Sequence, residues 1–295
     1  MNDSILVHRL CGLCLSCAPG GEKQGRHTLT GDISRHHISS VLLQEELEVW
    51  VYLPPGYSPS DPWRYPTLYL HDGQNVFDVE TSAFGVEWGV DETAERLIQE
   101  GKIESLIVVA VANTPQRIAL YTPFADPLEG GGGGSLYLDF LTEELKPWID
   151  ANYLTSPRAQ ETAVAGSSLG GLSALYLGWT RPDVFGMVAA LSPSLWWSER
   201  GLITRIAQDQ GSTLPWRIYL DMGLEESFAD HDEDGVPDLI DDLRALRAVL
   251  LSKGYGLNHN LFYREVPGAA HDERSWAGRV ADVLSALFPA RLRMT

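Results

Sequence analysis

Thr162-Ala163-Val164-Ala165-Gly166-Ser167-Ser168-Leu169-Gly170-Gly171-Leu172-Ser173-Ala174-Leu175-Tyr176-Leu177-Gly178-Trp179 reads as a strand that turns sharply into a helix. Residues 162–165 are short, apolar and partly β-branched, as a buried strand is. Residues 169–179 carry the leucines and alanines of a helix. Between them, Gly166-Ser167-Ser168-Leu169-Gly170 fits the pattern G-x-S-x-G. A serine at such a turn has strained backbone angles and crowded neighbours two positions away on each side, where a Cβ would clash. Its hydroxyl then stands clear of the sheet. The N–H of Leu169 opens the helix, where orphan donors and the helix dipole favour developing negative charge. Ser168 is thus a candidate nucleophile and Leu169 a candidate oxyanion donor, against the bland alternative of a Gly/Ser turn that only caps a helix.

Outward from this turn, short β-rich runs alternate with longer amphipathic segments. Strands are expected at 48–53, 67–71, 106–111, 162–165, 187–191, 216–220 and 261–266, and helices at 91–99, 137–151, 169–179, 239–253 and 273–287. That order predicts an α/β fold with a mostly parallel sheet. The five glycines at 130–134 suit neither a helix nor a strand interior, and are read as a mobile surface loop near the site.

A chain of 295 residues, 44% hydrophobic with nine Trp and eleven Tyr, has apolar surface enough for one large core. The expected division is an N-terminal segment, 1–40, disordered or loosely attached, followed by a single domain, 41–295. A net charge of −18 disfavours nucleic acid and anionic membrane as partners. The three cysteines, Cys11, Cys14 and Cys17, all precede the folded region, so no disulfide staples it. Their spacing is ligand-like, but no fourth ligand stands at a standard distance and His27 is only a loose candidate. Residues 5–19 are apolar in part, yet Arg9 interrupts them and they are too short to span a bilayer. They make a poor signal peptide. Leu15-Ser16-Cys17 is faintly like a lipoprotein cleavage site, and a cytoplasmic location is slightly favoured.

A serine nucleophile needs a base, and on a strand-turn-helix elbow the chain order is serine, acid, histidine. Of eight histidines, only His271 follows both Ser168 and the last expected strand. His8, His27, His36 and His37 precede the sheet, His71 ends an early strand, His231 lies in an acidic loop and His259 precedes the final strand. The acid should follow the strand at 216–220, where Asp221, Glu225 and Glu226 compete. Reach toward His271 is better from Glu225 and Glu226, which lie beyond the turn at Gly223.

Four blocks carry a family resemblance: Leu68-Tyr69-Leu70-His71-Asp72-Gly73-Gln74-Asn75-Val76-Phe77-Asp78, the elbow from Ala165 to Gly171, Ser192-Pro193-Ser194-Leu195-Trp196-Trp197, and Gly268-Ala269-Ala270-His271-Asp272-Glu273-Arg274-Ser275-Trp276. In this order the chain resembles the putative-esterase family of α/β-hydrolases, which includes enterochelin-type siderophore esterases, feruloyl esterases and S-formylglutathione hydrolase. The resemblance runs from Leu47 to Phe288. It implies the α/β-hydrolase fold, a mostly parallel central sheet with helices on both faces. It also implies Ser168 as nucleophile, His271 as base and, in the family's G-x-x-[DE] turn counted from Gly223, Glu226 as acid. The turn after the early strand, around Gly73 and Gln74, would supply the second oxyanion donor. Substrate contacts are expected at Arg117, from the family's R-x-x-E-Y-x-P stretch, although Leu120 stands where relatives have the acid. Trp196 and Trp197 would wall an acyl or aryl pocket, or pack in the core.

The implied chemistry is hydrolysis of a small-molecule carboxylic ester through an acyl-enzyme, with no organic cofactor. Acyl transfer with the same residues is the alternative, and a catalytically silent binding module is a third. Beyond the acid, Asp230, Asp232, Asp234, Gly235, Asp238 and Asp241 occupy positions 1, 3, 5, 6, 9 and 12 of a calcium-loop pattern, with the carbonyl of Val236 at position 7. A structural Ca2+ is expected there. Asp at position 12 and the lack of a preceding helix make it a solitary, weak type of site. The rival reading is a solvated acidic loop whose Asp238 caps the next helix.

Overall fold

The pleat of each strand divides its side chains between two cores. A computed structural model describes residues 27–211 and 215–290. One sheet contains β1 (Asp32–Ser40), β2 (Glu45–Leu53), β3 (Thr67–His71), β4 (Ile107–Val111), β5 (Thr162–Ser167), β6 (Met187–Leu191), β7 (Arg217–Gly223) and β8 (Leu261–Val266). The strands lie in the order β1-β2-β4-β3-β5-β6-β7-β8. β1 pairs antiparallel with β2, and β2 with β4; every other pairing is parallel.

Around the sheet run α1 (Val90–Gln99), α2 (Arg117–Tyr121), α3 (Gly134–Asp139), α4 (Lys146–Asn152), α5 (Leu169–Thr180), α6 (Trp197–Gln208), α7 (Asp238–Ser252), α8 (Glu273–Ala277) and α9 (Val280–Leu287). Alternate residues face opposite ways along a strand. Val49, Val51, Tyr69, Val109, Val164, Val188 and Leu220 accordingly join the core under α3 to α7. Trp50, Tyr52, Leu68, Leu70, Val108, Ala165 and Tyr219 join the core under α1, α8 and α9. Helices thus cover both faces, the arrangement of the α/β-hydrolase fold. The α5 helix is buried from Leu169 to Trp179, which explains why its sequence is apolar all round rather than on one stripe.

Several expectations need correction. Residues 32–40, assigned to a loose N-terminal segment, form the edge strand β1. An edge strand has solvent along one side, so its sequence, Asp32-Ile33-Ser34-Arg35-His36-His37-Ile38-Ser39-Ser40, lacks a strong apolar alternation. It is nonetheless held: His36 Nε2 lies 2.7 Å from the Tyr153 hydroxyl, and its ring is edge-on to Trp148 at 4.9 Å. The glycine run is no free loop either. Gly130–Gly131 pairs with Ala125–Asp126, and Gly134 opens α3. A Cβ at Gly131 would fall 2.2 Å from Thr122 Oγ1, and one at Gly133 2.9 Å from the Ala119 carbonyl oxygen, so these glycines permit close packing. The helix expected at 137–151 is α3 and α4 joined by a π-helical turn, Phe140–Leu145, and that at 273–287 is α8 and α9 broken at Gly278. The α6 helix stands outside the expected helices; Ser198, Glu199 and Arg200 near its start have positive φ, so its regular turns begin after them. The cysteines lie outside the described residues, and no described helix is long and apolar enough to cross a membrane.

Chain order reverses between β3 and β5: β4 lies on one side of β3, and the next strand of the sheet returns to the other side. In open α/β sheets ligands bind beyond the carboxyl ends of the strands at such a switch point. The turns after β3, β5, β7 and β8 all face that region. Phe185, fully buried and edge-on to Tyr69 at 5.9 Å, anchors β6 beneath it. Phe185→Ala is expected to lower unfolding free energy by about 3–5 kcal/mol, read from the urea midpoint at unchanged denaturant slope.

Candidate active site

Ser168 sits between β5 and α5 with φ 56° and ψ −122°, a left-handed conformation rare for any side chain but glycine. Its carbonyl oxygen accepts from Leu172 (3.0 Å), starting the helix, and from Ser194 (3.1 Å), while its own N–H donates to Leu191 of β6 (3.0 Å). Those bonds hold the strained residue from three sides. A Cβ on Gly166 would fall 2.7 Å from the Gly170 carbonyl carbon, which accounts for the pattern's first glycine. Leu169 opens α5, so its N–H is among the orphan donors at that helix terminus.

His271, on the turn after β8, points its Nε2 at Ser168 Oγ, 2.9 Å away, and its Nδ1 at Glu226 Oε2, 2.8 Å away. Glu226 follows β7 and is buried. Its other oxygen, Oε1, accepts from the Gly223 N–H (2.6 Å) and from the Ser192 hydroxyl. The two competitors separate on geometry: Glu225 is exposed, and Asp221 turns to Arg279 instead.

A buried network missed in the sequence lies behind Glu226. Arg279 donates to Asp221 Oδ1 (2.7 Å) and to Ser192 Oγ (3.1 Å), and its guanidinium lies 3.7 Å from Glu226 Oε1. Trp276 Nε1 also donates to Ser192 Oγ (3.0 Å), and the Trp276 ring stands edge-on to His271 at 5.0 Å. Tyr219 donates to Asp221 Oδ2 (2.8 Å). Burial pushes the Asp221 carboxyl up to about 6, against the opposing pull of Arg279. No short motif signals these residues, because Ser192, Asp221 and Arg279 come from separate elements.

On the other side of Ser168, the turn Gly73–Asn75 follows β3. Gly73 packs directly on β4: a Cβ there would lie 2.6 Å from the Ala110 carbonyl carbon. Asp72, at φ 56°, begins the turn and receives both Nε and a terminal nitrogen of Arg117 at 2.8 Å each, with Asn113 Nδ2 at 2.6 Å. Burial alone would raise the Asp72 carboxyl, but the Arg117 guanidinium outweighs it and holds the group below its usual value. His71 is a poor rival for His271, because burial drives its imidazole down to about 4.

The family described as "Putative esterase" matches residues 40–287 of this chain. The chain belongs to that family. Iron(III) enterobactin esterase of Escherichia coli K12 is 35% identical over 142 residues, 46% of this chain and 32% of that protein. Ferri-bacillibactin esterase BesA of Bacillus subtilis is 26% identical over 66% of this chain and 72% of its own length. The enterobactin esterase of Shigella flexneri, solved in the presence of enterobactin, superposes with a TM-score of 0.70 at 24% identity, over 88% of this chain and 60% of that one. The chain spans about a third of the length of the curated enterobactin esterases it matches.

Within this esterase-family chain, burial overturns one expected substrate contact, Trp197, while Arg117 and Trp196 stay partly exposed. Arg117 is tied to Asp72 and lies over the Tyr121 ring at 5.2 Å, so it braces the turn after β3. Trp197 is 1% exposed and donates to the Phe124 carbonyl (2.8 Å), so it is a core residue and not a pocket wall. Trp196 is half-buried, 5.7 Å from it.

In the acidic loop, carboxylate oxygens of Asp230, Asp232 and Asp234 lie within 4.8 Å of one another, and Gly235 has φ +89°. Burial, then Asp234 and Asp232 nearby, raise the Asp241 carboxyl. Asp238 departs from the pattern, because its carboxylate takes the His231 N–H (3.0 Å) and meets the His231 ring. It is the first residue of α7 and makes no side-chain cap.

Asp221→Asn removes the partner of a guanidinium that is itself almost wholly buried. It is expected to cost about 3–5 kcal/mol of stability, and Asp221→Asn/Arg279→Met to cost less than Arg279→Met added to it, as read in a double-mutant cycle of denaturant midpoints.

Proposed function

We propose that this protein is a serine carboxylic-ester hydrolase with Ser168 as nucleophile, His271 as general base and Glu226 as the acid that orients it. The observation that carries this reading is the relay of 2.9 Å from Ser168 Oγ to His271 Nε2 and 2.8 Å from His271 Nδ1 to Glu226 Oε2, at a strained elbow. Nε2 takes the hydroxyl proton as Oγ attacks the ester carbonyl, and Glu226 stabilises the imidazolium through Nδ1–H. The tetrahedral oxyanion is received by the N–H of Leu169 and by the backbone of the Gly73–Gln74 turn. His271 then gives its proton to the leaving alcohol, water repeats the attack on the acyl-enzyme, and the acid departs. No organic cofactor enters these steps.

For the substrate we propose an ester of the siderophore class, on the strength of relatives named as enterobactin and ferri-bacillibactin esterases. Turnover of an enterobactin-type triester should exceed that of feruloyl and p-nitrophenyl esters at equal concentration; the reverse order assigns the site to simpler esters.

An organophosphonate is expected to label Ser168 and not Ser167, and Ser168→Ala to lower turnover by about 10⁴-fold or more while folding normally. Glu226→Gln is expected to cost roughly 10²–10⁴-fold, and Glu225→Gln almost nothing. A glutamine amide facing Nδ1 would donate, which leaves the proton on Nε2 and disables the base. Labelling of Ser167, or full turnover by Ser168→Ala, overturns the assignment.

We propose further that the loop 230–241 binds calcium, supported by the convergence of Asp230, Asp232 and Asp234 around Gly235. Equilibrium dialysis is expected to find one bound calcium fewer in Asp232→Asn/Asp234→Asn than in the parent. Equal binding leaves the loop as acidic surface.

A further inference from the structure

A second group of carboxylates lies apart from the reaction centre, where the chain after β3 enters α1. Carboxylate oxygens of Glu87, Asp91 and Glu92 lie within 4.8 Å of one another. Asp91 is completely buried, and its Oδ1 has no hydrogen-bond partner; Glu87 Oε2 and Glu92 Oε2 are likewise buried and without partners among the described residues. The opposite oxygens of the two helical residues are fastened. Asp91 Oδ2 accepts from the Thr30 N–H (2.7 Å), and Glu92 Oε1 from the Thr30 hydroxyl (3.3 Å). Asp91 and Glu92 are therefore each fixed by one oxygen and leave the other without a partner among the described residues.

Acidic residues in the first turn of a helix are ordinarily explained by its dipole. That explanation covers exposed side chains, and it supplies no donor to the three buried oxygens. It also leaves out Glu87, which precedes the helix. Buried oxygens without partners are expensive, and burial pushes the Glu87 carboxyl up to about 7.

From this convergence we infer that Glu87, Asp91 and Glu92 hold a calcium ion. Three carboxylates with no nitrogen or sulfur donor make a hard-cation site. Calcium tolerates irregular geometry and completes its shell with carbonyls or water, whereas magnesium demands an octahedron and keeps more water. The ion fixes the carboxylates that hold Thr30 and ties the start of α1 to Glu87 in the loop that leads into it. That loop carries Trp88, whose backbone N–H donates to the Asn75 carbonyl (2.9 Å) and whose ring lies 6.1 Å from Trp276, the residue edge-on to His271. The cation thereby stiffens one wall of the candidate active site without touching it.

Trp88, next to Glu87, makes the site readable with terbium, a calcium surrogate excited through nearby tryptophan. The titration uses Asp232→Asn/Asp234→Asn protein, so that the loop 230–241 contributes nothing. Saturable terbium emission, displaced by calcium and weakened about tenfold or more by adding Glu87→Gln/Glu92→Gln, is the expected result. Calcium should also raise the melting temperature of the Asp232→Asn/Asp234→Asn protein and not that of the fourfold variant. Absence of calcium-displaceable emission before the glutamines are added overturns the site, as does emission that survives them. If Glu87→Gln/Glu92→Gln raises the melting temperature and calcium has no effect on its parent, the cluster shares protons and the inference also fails. Should the fourfold variant not fold, the first titration decides alone.

Discussion

The conformation of Ser168 is the constraint on which the rest depends. A residue at φ 56° and ψ −122° persists only if its surroundings leave it no alternative. Here β5, β6 and α5 converge on it, through hydrogen bonds to Leu191, Leu172 and Ser194 and through the contact of Gly166 with Gly170. A parallel strand buried on both faces and an α5 helix buried almost along its whole length supply that rigidity. The apolar character of this region is therefore as much part of the site as the hydroxyl.

The second requirement is a buried negative charge at Glu226. Burying a carboxylate is costly unless it is paired and hydrogen-bonded. Glu226 has the Gly223 N–H, the Ser192 hydroxyl, the His271 ring and a nearby Arg279. Arg279 is itself neutralised by Asp221, which Tyr219 satisfies on its other oxygen. The candidate acid is thus the outer member of a small charged core in which each group is anchored by another. The same logic governs Asp72 and Arg117 across the cleft, where a buried ion pair sets the turn that carries Gly73.

Glu87, Asp91 and Glu92 contrast with both clusters. Glu226 has a backbone donor and a nearby arginine, and Asp72 an arginine and a side-chain amide, whereas each of these three has an oxygen with no partner among the described residues. In a chain with 40 acidic residues against 22 basic ones, side chains cannot neutralise every carboxylate. Among the described residues, two groups of converging carboxylates stand out in that imbalance, one around the buried Asp91 at the start of α1 and one largely exposed before α7.

Sequence by itself determined the elements whose signals are local. The β3, β6 and β8 bounds and the elbow at Ser168 depend on residues within a few positions of one another, whereas His271 as a candidate comes from chain order over a long span and Glu226 from the family resemblance. Tertiary structure alone decided what depends on distant partners. The edge strand β1 is stabilised from one side by β2, so its own residues need not look like a strand. Arg117 braces a turn because Asp72 arrives from another strand, and Trp197 packs in the core because Phe124 offers it a carbonyl. Four of the five glycines, Gly131 to Gly134, are closely packed because Thr122, Ala125 and Ala119 press against them. In each case the residue type allowed several roles, and desolvation beside a particular neighbour selected one.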